Sequence, residues 1–453
     1  MDPVSISTIA DWAGGGLLCG NAAAKVDAIC TDSRALKPGA LFVALRGEKF
    51  DGHDFLRQAV QAGAAGAVVE DAPGDLGEGF GLIRVADTLI ALQKMAAAFR
   101  RTLPMKVVNI TGSNGKTSTK DFTAAVLSTS GRVAKTEGNL NNHIGLPLTI
   151  LRASSNDNYG VFEIGMNHPG EIAPLARISR PDAAVITNIG VAHIEYMGSI
   201  EAIALEKGTL AEAVGRDGFV VLPVDDSFTD SIAARTQAKV IRAGIDKGDV
   251  YAAGVTADAE GTSFVAHAAG DSAPGRITAP GLHMVRNAML AVAVGVEYGI
   301  PLEACLEGLA RTRLTKGRLE RKMIRGICVL DDSYNANPDS MVAALETLGR
   351  MQGRRIAVLG QMNELGVESD RGHRRVGEAA AREKIDCVIT VGPIASGIAA
   401  AAREHGVKHV LTPDTTAEAA AIIRSLARNG DTVLIKGSRS VKMETIVEEL
   451  ARS

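Results

Sequence analysis

The segment NITGSNGKTSTK, residues 109–120, contains the residue types of a phosphate-binding loop. The apolar run KVVNI before the loop predicts a strand, and the small and apolar residues of 117–130 after it predict a helix. Gly112 and Gly115 would free backbone N–H groups to point at a phosphate, where the helix N-terminus and the charge of Lys116 add attraction. This layout predicts a site for the phosphates of a nucleotide.

The loop is a shortened variant of the P-loop, because Ile110 stands where the strict pattern has its first glycine, five residues before Gly115. A Gly-Lys-Thr tripeptide is common by chance, and the alternative is an ordinary turn with a solvated lysine. The strand before the loop and the helix after it favour binding of a nucleoside triphosphate. Thr117 would then place its hydroxyl on a magnesium ion.

Polar groups at the ends of other predicted strands would share one edge with the loop. Glu163 lies in VFEIG and His193 follows VITNIG, and the carboxyl ends of parallel strands meet at one edge of a sheet. Carboxylate, imidazole and threonine oxygen beside a triphosphate form a reasonable magnesium site, with a second metal position for histidine, a less common magnesium ligand. The alternative for Glu163 is a strand end in water or a pair with a lysine.

Three further sets of polar residues have both a functional and a structural interpretation. Lys207, on a predicted helix fourteen residues beyond His193, would by itself be a surface lysine. The asparagines of the loop TEGNLNNHIGLP would cap turns or hydrogen-bond a polar substrate near the γ-phosphate. The run LDDSYNANPDS, directly after an apolar strand, would form a helix N-cap or a binding surface. The candidate binding residues are Asn139, Asn141 and Asn142 in the first of these two runs and Tyr334, Asn335 and Asn337 in the second.

The composition is that of an ordinary folded protein with several domains. At 453 residues the chain is too long for a single core, and about three domains are expected. Apolar residues make up 46% of the chain, which gives no sign of disorder, and a net charge of −3 excludes a general polyanion-binding surface. Nucleic acid is therefore not an expected partner.

The sequence predicts neither secretion nor insertion into a membrane. No basic residue precedes Lys25, and no run of about 18 uncharged apolar residues occurs in the chain. Five scattered cysteines without metal-type spacing indicate reduced structural thiols. These features predict a cytoplasmic location.

The order of the predicted elements indicates three α/β domains. RRTLP, which ends a helical run, is a linker that limits the first domain to 1–103. In 104–313 the strands YGVFEIG, DAAVITNIG and GFVVLPVDD alternate with helices, which predicts a P-loop-type, mostly parallel sheet with a small antiparallel addition between Val250 and Gly281. In 314–453 the runs RIAVLGQM, DCVITVG and DTVLIKGSRS repeat the alternation, which predicts a Rossmann-like sheet.

Together these motifs resemble the Mur ligase family, the ATP-dependent enzymes that build the peptide of peptidoglycan, over nearly the whole chain. TGSNGKTS is similar to the family's shortened P-loop, TEGNLNNHIGLP to its asparagine loop, and FEIGMNHPGEI and NIGVAHIEYMGS to its metal-binding strand ends. LDDSYNANP, QMNELG and IKGSRS resemble segments of one member of the family. TDSR and FVALRGEKFDGHDF resemble a uridine-nucleotide module, which implies that the first, smaller α/β domain binds a uridine nucleotide.

The resemblance also implies a role for individual residues. Lys116, His193 and Lys207 would be catalytic, with Lys116 on the β- and γ-phosphates and Lys207 carbamylated. The implied magnesium ligands are Thr117, Glu163, His193 and Lys207. The implied ATP-binding residues are Gly112, Ser113, Asn114, Gly115, Lys116, Thr117, Ser118, Asn287, Arg318 and Asp332. The implied substrate-binding residues are Asp32, Ser33, Arg34, Asn139, Asn141, Asn142, Tyr334, Asn335 and Asn337.

The activity that the resemblance implies is the ATP-dependent joining of D-alanyl-D-alanine to UDP-N-acetylmuramoyl-tripeptide through an acyl phosphate, by a monomeric enzyme of peptidoglycan synthesis. Two alternatives stay open: the ligase that adds the third amino acid of the peptide, and a nucleotide-driven switch that transfers no phosphate to a substrate. The chain departs from the family's pattern at Met284, Pro223, Lys316 and Gln361, and none of these positions belongs to the phosphate loop or the metal ligands.

Overall fold

Three α/β units follow one another in the computed structural model, which describes residues 1–452 except 72, 73, 75, 78, 259 and 260. Within these residues, the main sheets of the three units contain five, nine and six strands, and the first unit has a further sheet of two strands. No helix in this part of the chain combines the length and the apolar character needed to cross a bilayer. The three-domain α/β fold expected from the sequence is confirmed.

The first unit is built around a mixed sheet. Its strands are β1 (Val4–Ser5), β2 (Gly16–Cys19), β3 (Lys25–Val26), β4 (Ile29–Cys30), β5 (Leu41–Val43), β6 (Gly66–Val69) and β7 (Gly81–Arg84), and its helices are α1 (Ile6–Ala13), α2 (Leu56–Gln61) and α3 (Thr88–Thr102). In the mixed sheet, β4 to β7 are parallel neighbours, and β2 pairs with β7 in the antiparallel direction. Strands β1 and β3 form a separate antiparallel pair. The apolar strands β5 and β6 are buried along their whole length, as is typical of parallel strands.

The central unit contains the largest sheet. Its strands are β8 (Lys106–Thr111), β9 (Val133–Lys135), β10 (Tyr159–Glu163), β11 (Ala183–Ile186), β12 (Phe219–Pro223), β13 (Lys239–Ile245), β14 (Val250–Asp258), β15 (Gly261–Ala268) and β16 (Asp271–Ile277). Its helices are α4 (Lys116–Leu127), α5 (Gly145–Ile150), α6 (Ile172–Ser179), α7 (Ile194–Met197), α8 (Ile200–Glu212), α9 (Thr229–Ala233), α10 (Leu282–Glu297) and α11 (Leu302–Ala310).

The strand order of this sheet is β16-β15-β14-β13-β12-β11-β8-β10-β9. Neighbours from β9 to β14 are parallel, and β14, β15 and β16 are antiparallel. The predicted antiparallel addition therefore exists, and it extends the parallel sheet because β14 pairs with β13. The loop strand β8 lies inside the sheet, between β10 and β11.

The C-terminal unit is a parallel sheet with one antiparallel edge strand. Its strands are β17 (Glu320–Ile324), β18 (Ile327–Asp332), β19 (Arg355–Gly360), β20 (Cys387–Val391), β21 (His409–Leu411) and β22 (Thr432–Lys436), and its helices are α12 (Pro338–Gly349), α13 (Ser369–Arg382), α14 (Ser396–Glu404), α15 (Thr416–Leu426) and α16 (Glu444–Arg452). The strand order is β17-β18-β22-β19-β20-β21, with β17 antiparallel to β18. This arrangement agrees with the predicted Rossmann-like sheet.

Helix α4 carries the residues that follow the phosphate loop. It begins at Lys116 and ends at Leu127, about one turn before the end predicted from the sequence. The hydroxyl of Ser128 donates to the carbonyl of Ala124 at 2.6 Å, and that of Thr129 to the carbonyl of Val126 at 2.7 Å. These hydroxyls compete with the backbone for helical carbonyls, and the chain leaves the helix in hydrogen-bonded turns.

Arg100, on α3, fixes the junction between the first and the central unit. Its side chain is only 9% exposed. The guanidinium donates to the carbonyls of Ser179 at 2.8 Å, Leu103 at 3.1 Å and Met105 at 3.3 Å. One buried cation therefore ties the linker to helix α6 of the central unit.

Candidate active site

The predicted phosphate loop lies between β8 and α4 at the carboxyl edge of the central sheet. Its two glycines have φ angles of 148° at Gly112 and 77° at Gly115, which favour glycine. A Cβ atom at Gly112 would lie 1.8 Å from Oγ1 of Thr187, and one at Gly115 would lie 2.6 Å from Oδ1 of Asn287. The loop needs both glycines to pass so close to its neighbours.

The ammonium group of Lys116 lies against this loop. Its Nζ donates to the carbonyl of Gly112 at 2.8 Å. Burial lowers the pKa of Lys116, and the guanidinium of Arg318 lowers it further, whereas the carboxylate of Glu163 opposes the shift. A phosphate on the loop would accept the hydrogen bond that the Gly112 carbonyl now accepts.

Glu163 is the last residue of β10, beside the loop strand β8. It is 3% exposed, so it is not a strand end in water. Its Oε2 accepts a hydrogen bond from Oγ1 of Thr117 at 2.9 Å, and its Oε1 accepts one from Nδ2 of Asn141 at 2.8 Å. The carboxylate therefore faces the hydroxyl that the sequence predicted as its fellow magnesium ligand.

His193 lies where the central unit meets the C-terminal unit. Its backbone is left-handed, at φ 65°, directly before α7. Nδ1 of His193 lies 2.6 Å from Oε2 of Glu364, a residue that the sequence analysis did not single out. The hydrogen bond with His193 lowers the pKa of the Glu364 carboxyl, and burial opposes that shift. A carboxylate of the neighbouring unit thus orients the imidazole.

Lys207 lies on α8 and is 1% exposed, so it is not the surface lysine of the structural interpretation. Burial lowers its pKa well below the usual range, and the charge of Lys116 lowers it further, whereas Glu206 opposes the shift. A buried amine with a lowered pKa has a larger neutral fraction than an ordinary lysine. Burial therefore disfavours the charged form of this amine.

The C-terminal unit provides the wall that faces the loop. Nη2 of Arg318 lies 3.3 Å from Oγ1 of Thr117, and its guanidinium lies 4.1 Å from the centre of the Tyr334 ring. Nζ of Lys436, a residue only 3% exposed, donates to Oδ2 of Asp332 at 2.6 Å. Lys436 is the last residue of β22, so the strand-end rule used for the central sheet would identify it.

A cavity of about 520 Å³ separates the loop from this wall, a volume typical of small-molecule sites. The predicted residues that line it are Ser113, Asn114, Gly115, Lys116, Thr117, Ser118, His193, Asn287, Arg318, Asp332, Asn335 and Asn337. The predicted residues outside that lining are Gly112, Glu163, Lys207, Tyr334, Asn139, Asn141, Asn142, Asp32, Ser33 and Arg34. The lining also includes His283, whose pKa burial lowers to about 4, and Glu364, Asp339 and Lys436, which the sequence analysis did not predict.

Comparison with known proteins identifies the family. Residues 25–100 match the model for the Mur ligase family, catalytic domain, residues 110–295 the Mur ligase middle domain, and residues 317–439 the Mur ligase, glutamate ligase domain. The chain is 38% identical over 454 residues to the UDP-N-acetylmuramoyl-tripeptide--D-alanyl-D-alanine ligase of Escherichia coli (strain K12), with 99% of each chain covered. The chain belongs to the Mur ligase family. The resemblance seen in the motifs is thereby confirmed.

Solved Mur ligase structures have the same fold. MurF from Acinetobacter baumannii superimposes with a TM-score of 0.92 at 32% identity, over 100% of each chain. The MurF ligase from Thermotoga maritima, solved in complex with ADP, gives a TM-score of 0.84 at 28% identity, over 94% of this chain and 97% of that chain. The likeness therefore covers all three units.

In this Mur ligase the central and C-terminal units meet around the cavity. Nδ2 of Asn337 donates to Oδ1 of Asn114 in the phosphate loop at 2.7 Å. The backbone N–H of Val191 donates to Oδ2 of Asp339 at 3.1 Å. Together with the contact between His193 and Glu364, these hydrogen bonds fix the central and C-terminal units against each other on the two sides of the cavity.

Asn337 caps a helix, as the structural interpretation of its motif predicted, and also reaches the phosphate loop. Its Oδ1 accepts a hydrogen bond from the N–H of Ser340 at 2.9 Å, and a capping box completes the start of α12. Its Nδ2 is the group that contacts Asn114. The residue is thus both a helix cap and a contact of the phosphate loop.

The asparagine loop of this Mur ligase divides between structural and site contacts. Oδ1 of Asn142 accepts hydrogen bonds from the N–H groups of Ile144 and Gly145, at 3.2 and 2.9 Å, which is the turn-capping role. Asn141 contacts the carboxylate of Glu163. Asn139 is exposed to solvent.

The TDSR residues lie in the first unit of the Mur ligase fold. Oδ1 of Asp32 accepts from Nε of Arg34 and Oδ2 accepts from Nη2, both at 2.8 Å. These hydrogen bonds lower the pKa of Asp32 to about 2. The hydroxyl of Ser33 donates to Oε1 of Gln58 at 3.1 Å. Arg34 is exposed and Asp32 and Ser33 are partly exposed, so the three residues form a polar surface on the first unit.

Proposed function

We propose that this chain is an ATP-dependent ligase that joins D-alanyl-D-alanine to UDP-N-acetylmuramoyl-tripeptide, and so forms the pentapeptide precursor for peptidoglycan synthesis. The observation that carries the proposal is the cavity in which the phosphate loop, with Lys116, faces Arg318 of the C-terminal unit. A relative that aligns over 99% of both chains is named for this activity, which supports the same pair of substrates.

ATP would bind in the cavity with its phosphates on the loop. The ADP complex of the Thermotoga maritima MurF ligase supports a nucleotide in this fold. The backbone amides from Gly112 to Ser118 would hold the phosphates with Lys116. Asn287, Arg318 and Asp332 would hold the adenosine and the remaining phosphate oxygens from the second and third domains.

The residues beside the loop fit magnesium, since a hydroxyl and a carboxylate are the oxygen ligands it prefers. Oγ1 of Thr117 and Oε2 of Glu163 lie 2.9 Å apart. Among the described residues, no group of three or more His, Cys, Asp or Glu side chains is arranged to hold a metal, so phosphate oxygens and water would complete the ligand set. When bound, magnesium neutralises charge on the phosphate oxygens. His193 would serve a second metal position together with Lys207.

Lys207 would be carbamylated in the active enzyme. Its lowered pKa supports this, because only a neutral amine attacks carbon dioxide. The C–N bond that forms, with loss of one proton, converts the amine into an anion. An unmodified, protonated lysine would repel a second metal ion, whereas the carbamate would attract it.

Amide formation proceeds in two steps because a carboxylate is a poor electrophile. The terminal carboxylate of the tripeptide attacks the γ-phosphorus of ATP, the bond to ADP breaks, and an acyl phosphate forms. Lys116 would donate its hydrogen bond to the phosphate instead of the Gly112 carbonyl, and would stabilise the negative charge of the phosphate during this transfer. The amine of D-alanyl-D-alanine then attacks the acyl carbon, phosphate leaves, and the amine proton is released.

The three domains would divide the substrates among them. We assign the domains to 1–103, 104–313 and 314–453. Asp32, Ser33 and Arg34 would bind the UDP part of the precursor, with the asparagine loop near its peptide and the residues Tyr334, Asn335 and Asn337 on the C-terminal side. Productive geometry would require the third domain to close on the second. The enzyme would act as a monomer in the cytoplasm.

A coupled assay of ADP release tests this proposal. With UDP-N-acetylmuramoyl-tripeptide and magnesium, ADP release should depend on D-alanyl-D-alanine and should yield the pentapeptide product by mass spectrometry. ADP release that depends on a free amino acid and on UDP-N-acetylmuramoyl-dipeptide would select the ligase that adds the third residue. ATP hydrolysis independent of both a carboxylate and an amine would select the nucleotide-driven switch.

We expect Asn337→Ser to separate the two roles of Asn337. Serine caps helices about as well as asparagine, so the free energy of unfolding should change little, whereas Asn337→Ala should lower it by about 1 kcal/mol. Both variants lose the amide that contacts Asn114, and ATP should bind about threefold to tenfold more weakly to each, as for the loss of one neutral hydrogen bond. Thermal unfolding and titration with ATP measure the two effects. Unchanged ATP affinity in Asn337→Ser would show that this amide does not order the loop.

A further inference from the structure

Asp121 lies one helical turn after Thr117 on α4 and has no place in the chemistry described above. Its side chain is only 2% exposed. Its Oδ2 accepts two hydrogen bonds from Thr315, one from the backbone N–H and one from the hydroxyl, both at 2.8 Å. Its Oδ1 lies 3.0 Å from Nζ of Lys120 and 3.6 Å from Nζ of Lys135. The linker 311–319, which leads from α11 into the C-terminal unit and includes Arg318, is thus attached to the phosphate-loop helix.

A second path of contacts connects the same helix with the same segment. Nζ of Lys120 donates to the carbonyl of Thr136 at 3.1 Å, and Oγ1 of Thr136 accepts from the N–H of Glu163 at 2.9 Å. Glu163 accepts from Thr117 at 2.9 Å, and Nη2 of Arg318 lies 3.3 Å from the Thr117 hydroxyl. The contacts form a closed ring from the linker through the candidate metal ligands and back to the linker.

The ring holds the linker at two points on one face of α4, since residues four apart on a helix are neighbours. Asp121 holds Thr315, and Thr117 contacts Arg318. Between these points lies Gly317, whose φ of 70° is left-handed and favours glycine. Rotation of the C-terminal unit about Gly317 would break the contact at Arg318 and leave the one at Thr315 in place.

We propose that Asp121 is a positioning residue: by anchoring Thr315 it fixes the pivot of the C-terminal unit and so sets where Arg318 meets the nucleotide phosphates. The inference rests on the proposed function, because it assigns ATP to the cavity. Asp121 does not touch the reacting atoms, and its effect passes through Arg318. The two lysines beside Asp121 compensate its charge, which is why the anchor can be buried.

Two matched threonine variants in the linker test the proposal. Thr315→Val removes the hydroxyl that donates a hydrogen bond to Asp121, whereas Thr312→Val removes a hydroxyl that donates to the carbonyl of Gly308 in the preceding helix α11. Relative to Thr312→Val, Thr315→Val should lower kcat about tenfold and weaken the binding of a fluorescent ATP analogue about threefold. The reason is that a displaced Arg318 makes weaker contacts with the nucleotide phosphates. The KM for UDP-N-acetylmuramoyl-tripeptide, which binds mainly elsewhere, and the thermal midpoint should match in the two variants.

Asp121→Asn should have a larger effect, about fiftyfold on kcat, and combining it with Thr315→Val should add little more, because both changes break one contact. If Asp121→Asn does not fold, the comparison of the two threonine variants alone tests the positioning role of Asp121. Equal kcat and equal nucleotide affinity in the two threonine variants would overturn the positioning role. Failure of the unmodified enzyme to release ADP with D-alanyl-D-alanine would instead overturn the proposed function, while nucleotide affinity would still report on Asp121.

Discussion

Lys116→Ala should abolish D-alanyl-D-alanine-dependent ADP release, with kcat lowered by at least about a thousandfold. The negative charge of the γ-phosphoryl group shifts as it leaves ATP, and we propose Lys116 as the cation that meets this charge. Its ammonium now bonds to the Gly112 carbonyl at 2.8 Å, so it is already within reach of a phosphate on the loop. Measurement of single-turnover ADP formation would separate this chemical effect from weaker ATP binding.

Lys106→Ala is the matched control for this prediction. Lys106 begins the strand that leads into the loop, and its side chain is 59% exposed in a pair with Asp182. Removing it should change kcat less than about twofold, since exposed ion pairs contribute little. Turnover of Lys116→Ala within about tenfold of the unmodified enzyme would contradict the assignment of this loop to the reacting phosphates.

The sequence was sufficient to predict features that depend on local chemistry or on one topological rule. The glycines, the lysine and the threonine of the phosphate loop are contiguous, so the strand and helix around them predict their placement. Glu163 could be predicted because parallel strands end at one edge of a sheet, and it does lie beside Thr117. The same rule applied to β22 would have predicted Lys436, which shows that it works in both large sheets.

Contacts between the units could not be predicted, because no local pattern records them. His193 meets Glu364 across 171 residues of sequence, Val191 meets Asp339 across 148, and Asp121 meets Thr315 across 194. Each of these contacts depends on the orientation of one folded unit against another. A hydrophobic period or a turn signal describes a single element and contains no information on that orientation.

A helix cap and a contact with the phosphate loop occur in the same polar motif. The LDDSYNANP motif leads into a helix cap, and the capping residue Asn337 uses its second polar atom on the phosphate loop. An asparagine has both an acceptor and a donor, so one side chain serves both contacts. Serine or aspartate would satisfy the cap alone, which explains why the motif by itself did not decide between the two roles.

Replacing Lys207 by methionine should lower kcat roughly a hundredfold or more, because the variant loses the carbamate that we propose as a metal ligand. The unmodified enzyme should lose activity when bicarbonate and carbon dioxide are removed and regain it when they return, whereas Lys207→Met should not respond. A carbamate carbon signal in ¹³C NMR after incubation with ¹³C-labelled carbon dioxide should be present in the enzyme and absent from the variant. Full activity of Lys207→Met would refute the carbamate.

The lowered pKa of Lys207 gives the same substitution an effect on stability with a defined sign. The unfolded chain binds a proton at Lys207 below its usual pKa of about 10.4, whereas the folded chain binds it only below the lowered value. In buffer free of carbon dioxide, the free energy of unfolding of the unmodified protein should therefore decrease as the pH is lowered from about 10 to the lowered pKa of Lys207. Lys207→Met has no amine to deprotonate on folding. Its free energy of unfolding relative to that of the unmodified protein should therefore increase as the pH is lowered through the same range.

The matched control is Lys239→Met, because the Lys239 side chain is 62% exposed and pairs with Glu297. Its stability relative to the unmodified protein should change little across this pH range, since an exposed ion pair contributes little. Chemical denaturation at several pH values measures both differences. Parallel stability curves for Lys207→Met and the unmodified protein would mean that the buried amine keeps its proton on folding. The neutral nucleophile that carbamylation requires would then be missing at neutral pH.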